Sequence, residues 1–195
     1  MTKTELDGLK LEVSIKAKNG IDFILAAAIT WSIIAYVWTL PTTPYNLGVL
    51  TFIAGGVMIP LALLLSKLLK TQWKIKDNPL QPLGLWLNFA QLFYFPFLIF
   101  VLIKSPVHFA MTYAIITGAH LFAYAWFYNE KVYGFIAGIA AFGSMIIALM
   151  VSAQNMFLVP VFMVLNLFTL ALILYLSYSE KNKKLLQQAA TEDEL

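Results

Sequence analysis

The sequence predicts an all-α protein, a polytopic membrane helix bundle with six transmembrane helices and both termini in the cytoplasm. Two compositional observations support this prediction, because 61% of the residues are hydrophobic and only 12% are charged. A soluble domain carries about 25% charged and about 45–50% apolar residues. The third observation is that the apolar residues fall into long uninterrupted spans. So few charges cannot coat a soluble surface, whereas a bilayer replaces that coat with lipid.

Six apolar spans make up the predicted transmembrane domain, residues 21–178, and each is close to the length of about 20 residues that crosses a bilayer. The spans run over about 21–40, 47–66, 83–103, 107–128, 132–152 and 156–178. Residues 1–20 precede them as a cytoplasmic segment that mixes charges with aliphatic residues, a pattern typical of an interfacial helix. Residues 179–195 follow as a polar cytoplasmic tail.

The lysines predict the orientation. The chain has 13 lysines and no arginine. Among the odd-numbered connections, only the third, between spans three and four, contains a lysine, which is Lys104. The others lie before span one, in the even-numbered connections and in the tail. Because cytoplasmic segments keep the positive charge, we expect both termini inside the cell. An odd number of spans would break this alternation, so the charge pattern supports six spans independently of hydropathy.

Several classes of function are not expected from the residue types. Cysteine is absent, which excludes disulfides, a thiolate nucleophile and cysteine metal sites. Arginine is also absent, which argues against nucleic-acid binding. His108 and His120 lie about 18 Å apart along one predicted helix, too far to share a metal. No nucleophile or phosphate-loop motif is present. We therefore expect no catalytic residue, no metal and no cofactor, and a protein that is not an enzyme.

Prolines and glycines predict local features of the helices. Pro60, Pro96 and Pro160 lie inside spans two, three and six, where each removes one backbone hydrogen bond and bends the helix. Gly134 and Gly138 form a small-xxx-small pair on span five that lets helices approach closely. This pair predicts either internal packing or a face for a homo-oligomer or another membrane protein.

The candidate site comes from polar residues inside the spans, which are concentrated in spans three and four. Their spacing is three and three on span three, and four, three and four on span four, so each set shares one helix face. The residues are Asn88, Gln91 and Tyr94 on span three, Tyr113, Thr117, His120 and Tyr124 on span four, and Asn166 in the middle of span six.

The predicted topology adds depth to this pattern. Gln91 and His120 each lie about 10–12 Å from the cytoplasmic end of their helix, at 1.5 Å per residue. A short connection makes spans three and four antiparallel neighbours, so the polar residues are expected to meet. Asn166 is expected to reach the same centre from another wall.

Three interpretations of the polar residues stay open. They act as hydrogen-bonding contacts between helices, as in many membrane bundles. They line a pocket for a small-molecule ligand. His120 relays protons, which is physically possible but lacks an intramembrane carboxylate partner. The corresponding functions are a structural or accessory subunit, a small-molecule carrier or binding subunit, and, least favoured, an intramembrane enzyme.

Two stretches of sequence resemble a known family. They are Asp77, Asn78, Pro79 and Leu80 leading into Asn88, Phe89, Ala90, Gln91, Leu92, Tyr94, Phe95 and Pro96, and Ala114, Ile115, Ile116, Thr117, Gly118, Ala119 and His120 with Tyr128 after them. Together they resemble a family of small bacterial membrane proteins known only as a domain of unknown function. The resemblance covers nearly the whole chain. It implies a bacterial plasma-membrane setting, with the lipid bilayer as a partner, and implies no activity.

Overall fold

The computed structural model describes residues 1–192, which fold into α-helices joined by turns and short 3-10 segments. The α-helices are α1 (Lys3–Lys16), α2 (Ile21–Val37), α3 (Pro44–Gly55), α4 (Met58–Leu69), α5 (Gln81–Ala90), α6 (Phe95–Lys104), α7 (Phe109–Phe127), α8 (Lys131–Met150) and α9 (Leu158–Glu192). The 3-10 segments are Lys18–Gly20, Gln91–Tyr94, Pro106–His108 and Ala153–Asn155. Residues 1–192 contain no strand, so the all-α prediction is confirmed.

α2 lies at the centre of the bundle. It packs against α3, α4 and α9, and its Ala26, Ala28 and Ile34 are completely buried. α9 contributes the facing row of fully buried side chains, spaced three or four residues apart as one face of a helix requires: Val159, Met163, Leu167, Leu170 and Leu174. The core of the bundle is therefore built around the α2–α9 contact.

α7 and α8 form an antiparallel hairpin that packs against α9. The close approach of α7 to α8 depends on Gly118. A Cβ atom added at Gly118 would lie 2.9 Å from the Cβ atom of Ala140 and 3.0 Å from the backbone nitrogen of Ala141. Only a residue without a side chain lets the two backbones come this close.

Two of the predicted spans are interrupted at their prolines. Span two is divided into α3 and α4, and span three is divided into α5 and α6 by the 3-10 segment Gln91–Tyr94. Pro60 and Pro96 each lie in the first turn of the helix that follows the interruption, and Pro160 lies in the first turn of α9. The backbone N–H groups of a first turn have no partner within the helix, so proline costs no hydrogen bond there.

Five helical segments are long and apolar enough to cross a membrane. They are Lys18–Val37, Pro44–Leu69, Gln81–Lys104, Lys131–Met150 and Ala153–Gln188. The predicted fourth span corresponds to α7, which has 19 residues and is not among the five. Its Thr117, His120 and Tyr124 lower its mean hydropathy below that of its neighbours.

The segments before the first and after the last predicted span are largely helical. α1 begins with a capping box, in which the Thr2 hydroxyl accepts from the backbone N–H of Glu5 and the Glu5 carboxylate accepts from the backbone N–H of Thr2. α9 continues from the predicted span end at residue 178 to Glu192. Its 35 residues extend over about 52 Å at 1.5 Å per residue, which is longer than a hydrocarbon core of about 30 Å.

Candidate functional site

The predicted polar residues of spans three and four meet at the contact between α5 and α7. The amide of Asn88 donates to the carbonyl oxygen of Gly84 at 3.1 Å, and the hydroxyl of Tyr124 donates to the same oxygen at 3.3 Å. Gly84 also permits the approach, because an added Cβ atom would lie 3.0 Å from the ring of Phe127. The Gly84 carbonyl therefore connects span three to span four.

A second contact lies farther along the same pair of helices. The amide of Gln91 donates to the hydroxyl of Thr117 at 3.5 Å, a long hydrogen bond. Gln91 begins the 3-10 segment that interrupts span three. The ring of His120 packs edge-on against Tyr124 at a centroid distance of 5.2 Å. Gln91, Thr117 and Tyr124 thus take part in the contact between span three and α7, whereas the described contact of His120 is with Tyr124 on its own helix.

Tyr94 and Asn166 lie apart from these contacts. The side chain of Tyr94 is 51% exposed on the outer surface. Asn166 is buried, and its amide donates at 2.8 Å to the carbonyl oxygen of Phe162 within α9. Asn166 therefore bonds within its own helix, as Asn88 does, whereas Tyr124 and Gln91 make the hydrogen bonds that join span three to α7.

Gly134 and Gly138, the small-xxx-small pair of span five, have different surroundings. A Cβ atom added at Gly134 would lie 3.6–3.7 Å from Ala125 and Phe122 of α7, an ordinary packing distance. A Cβ atom added at Gly138 would have no neighbour within 4 Å. Gly134 takes part in the α7–α8 hairpin, and an oligomer or partner face at Gly138 stays a prediction.

A polar cluster that the sequence did not predict lies where α1 ends and α8 begins, beside Ser177 and Lys181 of α9. Its centre is Glu130, just before α8, whose carboxylate accepts from Lys181 of α9 at 2.7 Å and from Asn19 at 3.3 Å. The hydroxyl of Ser177 donates to the same carboxylate oxygen. The side chains of Glu130 and Lys181 are only 12% and 23% exposed, so this ion pair is largely shielded from water.

Asn19 connects this cluster to the backbone. Its side-chain amide donates to the backbone carbonyl oxygen of Leu174 at 3.2 Å, and its backbone carbonyl oxygen accepts from the hydroxyl of Tyr133 at 2.7 Å. Asn19 is fully buried and has a φ of 56°, a left-handed conformation that asparagine tolerates better than most residues. Lys181 also donates to the hydroxyl of Ser14 at 2.7 Å. The terminal cluster (Ser14, Asn19, Glu130, Tyr133, Ser177 and Lys181) therefore joins α1, α8 and α9.

Asp22 forms the next polar contact at this end. It lies in the first turn of α2 and is buried, and its carboxylate accepts from the hydroxyl of Thr71 at 2.6 Å and from the indole N–H of Trp73 at 2.7 Å. A carboxylate is favourable at a helix N-terminus, where the backbone N–H groups carry partial positive charge. The Trp73 ring also stacks on Phe23 at a centroid distance of 4.6 Å. The connection between α4 and α5 thus closes over the start of α2.

Asn78 ties the same connection to α1. Its amide donates to the Glu12 carboxylate at 2.7 Å and to the Leu9 carbonyl oxygen at 3.0 Å. Its side-chain oxygen accepts from the backbone N–H of Leu80, which forms the turn before α5. Hydrogen bonds from Lys16 and then from Asn78 lower the pKa of the Glu12 carboxyl below its usual 4.5.

The helical spacing of Ser177 and Lys181 would have been the sequence signal for the terminal cluster. Lys181 lies four residues after Ser177 and seven after Leu174, which places all three on one helix face. That relation becomes visible only once α9 is known to continue past residue 178. From the sequence, Lys181 was expected only as one of the tail lysines that predict the orientation.

Two open grooves lie at the end of the molecule where α1 is found. The larger, of about 650 Å³, runs along α1 and reaches Pro79. The other, of about 520 Å³, lies between the α4–α5 connection and α5. Neither groove is lined by the polar residues of the α5–α7 contact.

These features define the class of protein, an all-helical bundle of the multi-pass membrane type with five segments suited to cross a bilayer. Residues 6–177 match a family described as a family of unknown function, DUF7010, and the chain belongs to this family. The predicted resemblance to a family of unknown function is thereby confirmed. No curated protein and no solved structure matches the chain.

Proposed function

We propose that this chain is a six-span protein of the plasma membrane, with both termini in the cytoplasm, and that it is a structural or accessory subunit without catalysis of its own. In this proposal α7 is the sixth crossing helix. Its 19 residues extend over about 28 Å at 1.5 Å per residue, close to the thickness of a hydrocarbon core.

One observation carries the proposed topology: four segments of the chain that are far apart in sequence meet at one end of the bundle. Asn78 bonds Glu12, and Gln72 bonds the Lys16 carbonyl oxygen, so the α4–α5 connection lies beside α1. The terminal cluster brings the α7–α8 turn and the end of α9 to the same place.

Segments at the same end of a bundle are separated by an even number of crossings. Two crossings, α2 and α3–α4, lie between α1 and the α4–α5 connection. The α5–α6 span alone would leave the α7–α8 turn at the opposite end, so the proposal takes α7 as a further crossing. α8 and α9 then complete six crossings. This count agrees with the orientation expected from the lysines.

The polar residues of spans three and four support a structural role. Asn88 and Tyr124 converge on the Gly84 carbonyl oxygen, and Gln91 contacts Thr117. The bonds made by Tyr124 and Gln91 join two helices, and hydrogen bonds of this kind hold membrane helices together where a bilayer core lacks water. The terminal cluster adds a further connection between the ends of the chain.

A second candidate function, a small-molecule carrier or binding subunit, is favoured by the interruption of span three. The 3-10 segment Gln91–Tyr94 starts at a residue of the polar contact. Interrupted helices in transporters commonly expose backbone groups to a substrate near the middle of the membrane. In this candidate, Gln91 and Thr117 separate to admit a ligand.

Cysteine labelling tests the topology, because the native chain has no cysteine. Lys104 and Lys131 flank α7, so Lys104→Cys and Lys131→Cys are compared in intact cells with a membrane-impermeant maleimide. We expect labelling of the Lys104→Cys variant, and labelling of the Lys131→Cys variant only after permeabilisation. Equal labelling of both variants in intact cells would show that α7 does not cross.

A ligand search separates the two functions. The chain is purified in mild detergent and co-purifying small molecules are identified by mass spectrometry, with Gln91→Leu as the matched variant. For an accessory subunit we expect the same small-molecule profile from both proteins. A compound present at about one per chain in the wild type and lost in Gln91→Leu would instead establish the carrier function.

A further inference from the structure

The groove between the α4–α5 connection and α5 combines two kinds of surface. It has a volume of about 520 Å³ and is open to the outside of the bundle. Lys74 and Lys76 line one part of it, and Leu85, Trp86 and Phe89 line another. The groove is therefore cationic on one side and apolar on the other.

The cationic side is directed outward. Ile75 is buried, and the two lysines that flank it are exposed. The ion pairs formed within residues 1–192 use Lys16, Lys181 and Lys184, so neither Lys74 nor Lys76 takes part in one there, and the exposed Asp77 follows Lys76 directly. Two ammonium groups separated by one residue form a site for a phosphate group, to which lysine binds as a point charge.

The apolar side lies deeper along α5. Trp86 is 70% exposed, and Leu85 and Phe89 are also exposed on this helix. Phe89 is eight residues beyond Gln81, where α5 begins, which corresponds to about 12 Å along the helix axis. A tryptophan near the start of a membrane helix commonly lies at the level of the lipid headgroups. With Trp86 at that level, Phe89, three residues farther along the helix, is expected at the level of the acyl chains.

We propose that this groove binds one anionic phospholipid, with its phosphate on Lys74 and Lys76 and an acyl chain along Leu85, Trp86 and Phe89. The proposal rests on the proposed cytoplasmic position of the α4–α5 connection. Basic pockets beside membrane helices on the cytoplasmic side bind anionic headgroups. A free phosphate would leave the apolar side of the groove exposed. A zwitterionic headgroup carries its own cation and gains less from two lysines.

Native mass spectrometry of the full-length chain tests the proposal. The protein is purified in mild detergent with equal amounts of phosphatidylglycerol and phosphatidylcholine, and the ratio of bound lipids is measured. Each lysine near an anionic surface contributes about fivefold to binding, so we expect about a 25-fold weaker phosphatidylglycerol preference in Lys74→Gln/Lys76→Gln. We expect Lys74→Arg/Lys76→Arg to keep the preference, because the charge is retained.

The matched control is Lys3→Gln/Lys183→Gln, which removes the same charge from exposed residues on the cytoplasmic side and outside the groove. We expect this control to bind lipid as the wild type does. An unchanged preference in Lys74→Gln/Lys76→Gln, or an equal loss in the control, would overturn the proposal. Trp86→Ala is expected to lower occupancy by both lipids, since it removes the apolar contact.

The failure of this proposal is distinguishable from failure of the proposed topology. The Lys104→Cys and Lys131→Cys labelling experiment is independent of bound lipid. Correct labelling on opposite sides of α7 together with no lipid preference would refute the lipid site alone. Equal labelling of the two variants in intact cells would refute the topology, and with it the cytoplasmic placement on which the lipid site depends.

Discussion

The ion pair between Glu130 and Lys181 is expected to hold the end of α9 against the bundle. Lys181→Met keeps the length of the side chain and removes its charge, which leaves the Glu130 carboxylate with hydrogen bonds from Asn19 and Ser177 only. The change also removes the donor to Ser14. The contacts that are lost, to Glu130 and to Ser14, are mostly shielded from water.

The magnitude follows from the burial of the pair. Its side chains are 12% and 23% exposed. Removing one partner of a fully buried pair costs about 3–5 kcal/mol, whereas an exposed pair contributes about 0.2–1 kcal/mol. Because Lys181 retains some contact with water, we expect Lys181→Met to lower the free energy of unfolding by about 2–3 kcal/mol.

Reversible unfolding in mixed detergent micelles measures this change. The double variant Glu130→Gln/Lys181→Met is expected to lose less than the sum of the two single variants, because it leaves no uncompensated carboxylate. The control is Lys184→Met, which breaks the exposed Lys184–Glu180 pair and is expected to cause no measurable change. If Lys181→Met destabilised the protein no more than Lys184→Met does, the reasoning about shielding would be wrong.

Three further predictions follow from single positions. Gly20→Ala is expected to cost about 1–3 kcal/mol, because Gly20 has a φ of 74° and an added Cβ atom would lie 2.8 Å from the Tyr128 hydroxyl; Gly8→Ala, in open space, is the control in the same unfolding assay. Gly118→Ala is expected to lower the free energy of unfolding by about 1–3 kcal/mol, because the added methyl group pushes α7 away from α8. The same unfolding assay measures this change. The pKa of Glu12 in the folded protein is lowered from 4.5, so its stabilising contribution is fully present above pH 4.5 and is lost as the pH falls through the folded pKa. Unfolding midpoints measured between about pH 7 and pH 3 should therefore fall less steeply in Glu12→Gln than in the wild type. An unchanged slope would contradict this prediction.

The helical class was predictable because hydropathy is a local property. Apolar residues in spans of about 20 indicate membrane helices whatever the neighbouring spans do. The interruptions were only partly predictable. Pro60 and Pro96 indicated bends, but whether a span bends or divides into two helices depends on what packs beside it, and the 3-10 segment Gln91–Tyr94 could not be anticipated from spacing.

The candidate site was likewise only partly predictable from the sequence. Helical spacing predicted that Asn88 and Gln91 face span four, because the short connection makes the two helices neighbours, and in the structure Gln91 contacts Thr117 of α7. It did not identify Gly84, whose carbonyl oxygen receives the hydrogen bond from Tyr124. A backbone acceptor has no residue-type signal, so its role appears only when two helices are packed together.

The sequence by itself determined that this protein is helical, rich in segments long and apolar enough to cross a membrane, and asymmetric in its lysines. Each of these properties depends on residue type and position along the chain, and not on which residues meet in the folded protein. Only the tertiary structure decided that Asn19, Glu130 and Lys181 form one cluster. Asn19 and Glu130 are 111 residues apart in sequence, and Ser14 and Lys181 are 167 apart. A polar side chain in a loop or tail has many compatible partners, and only the packing of α1, α8 and α9 selects among them.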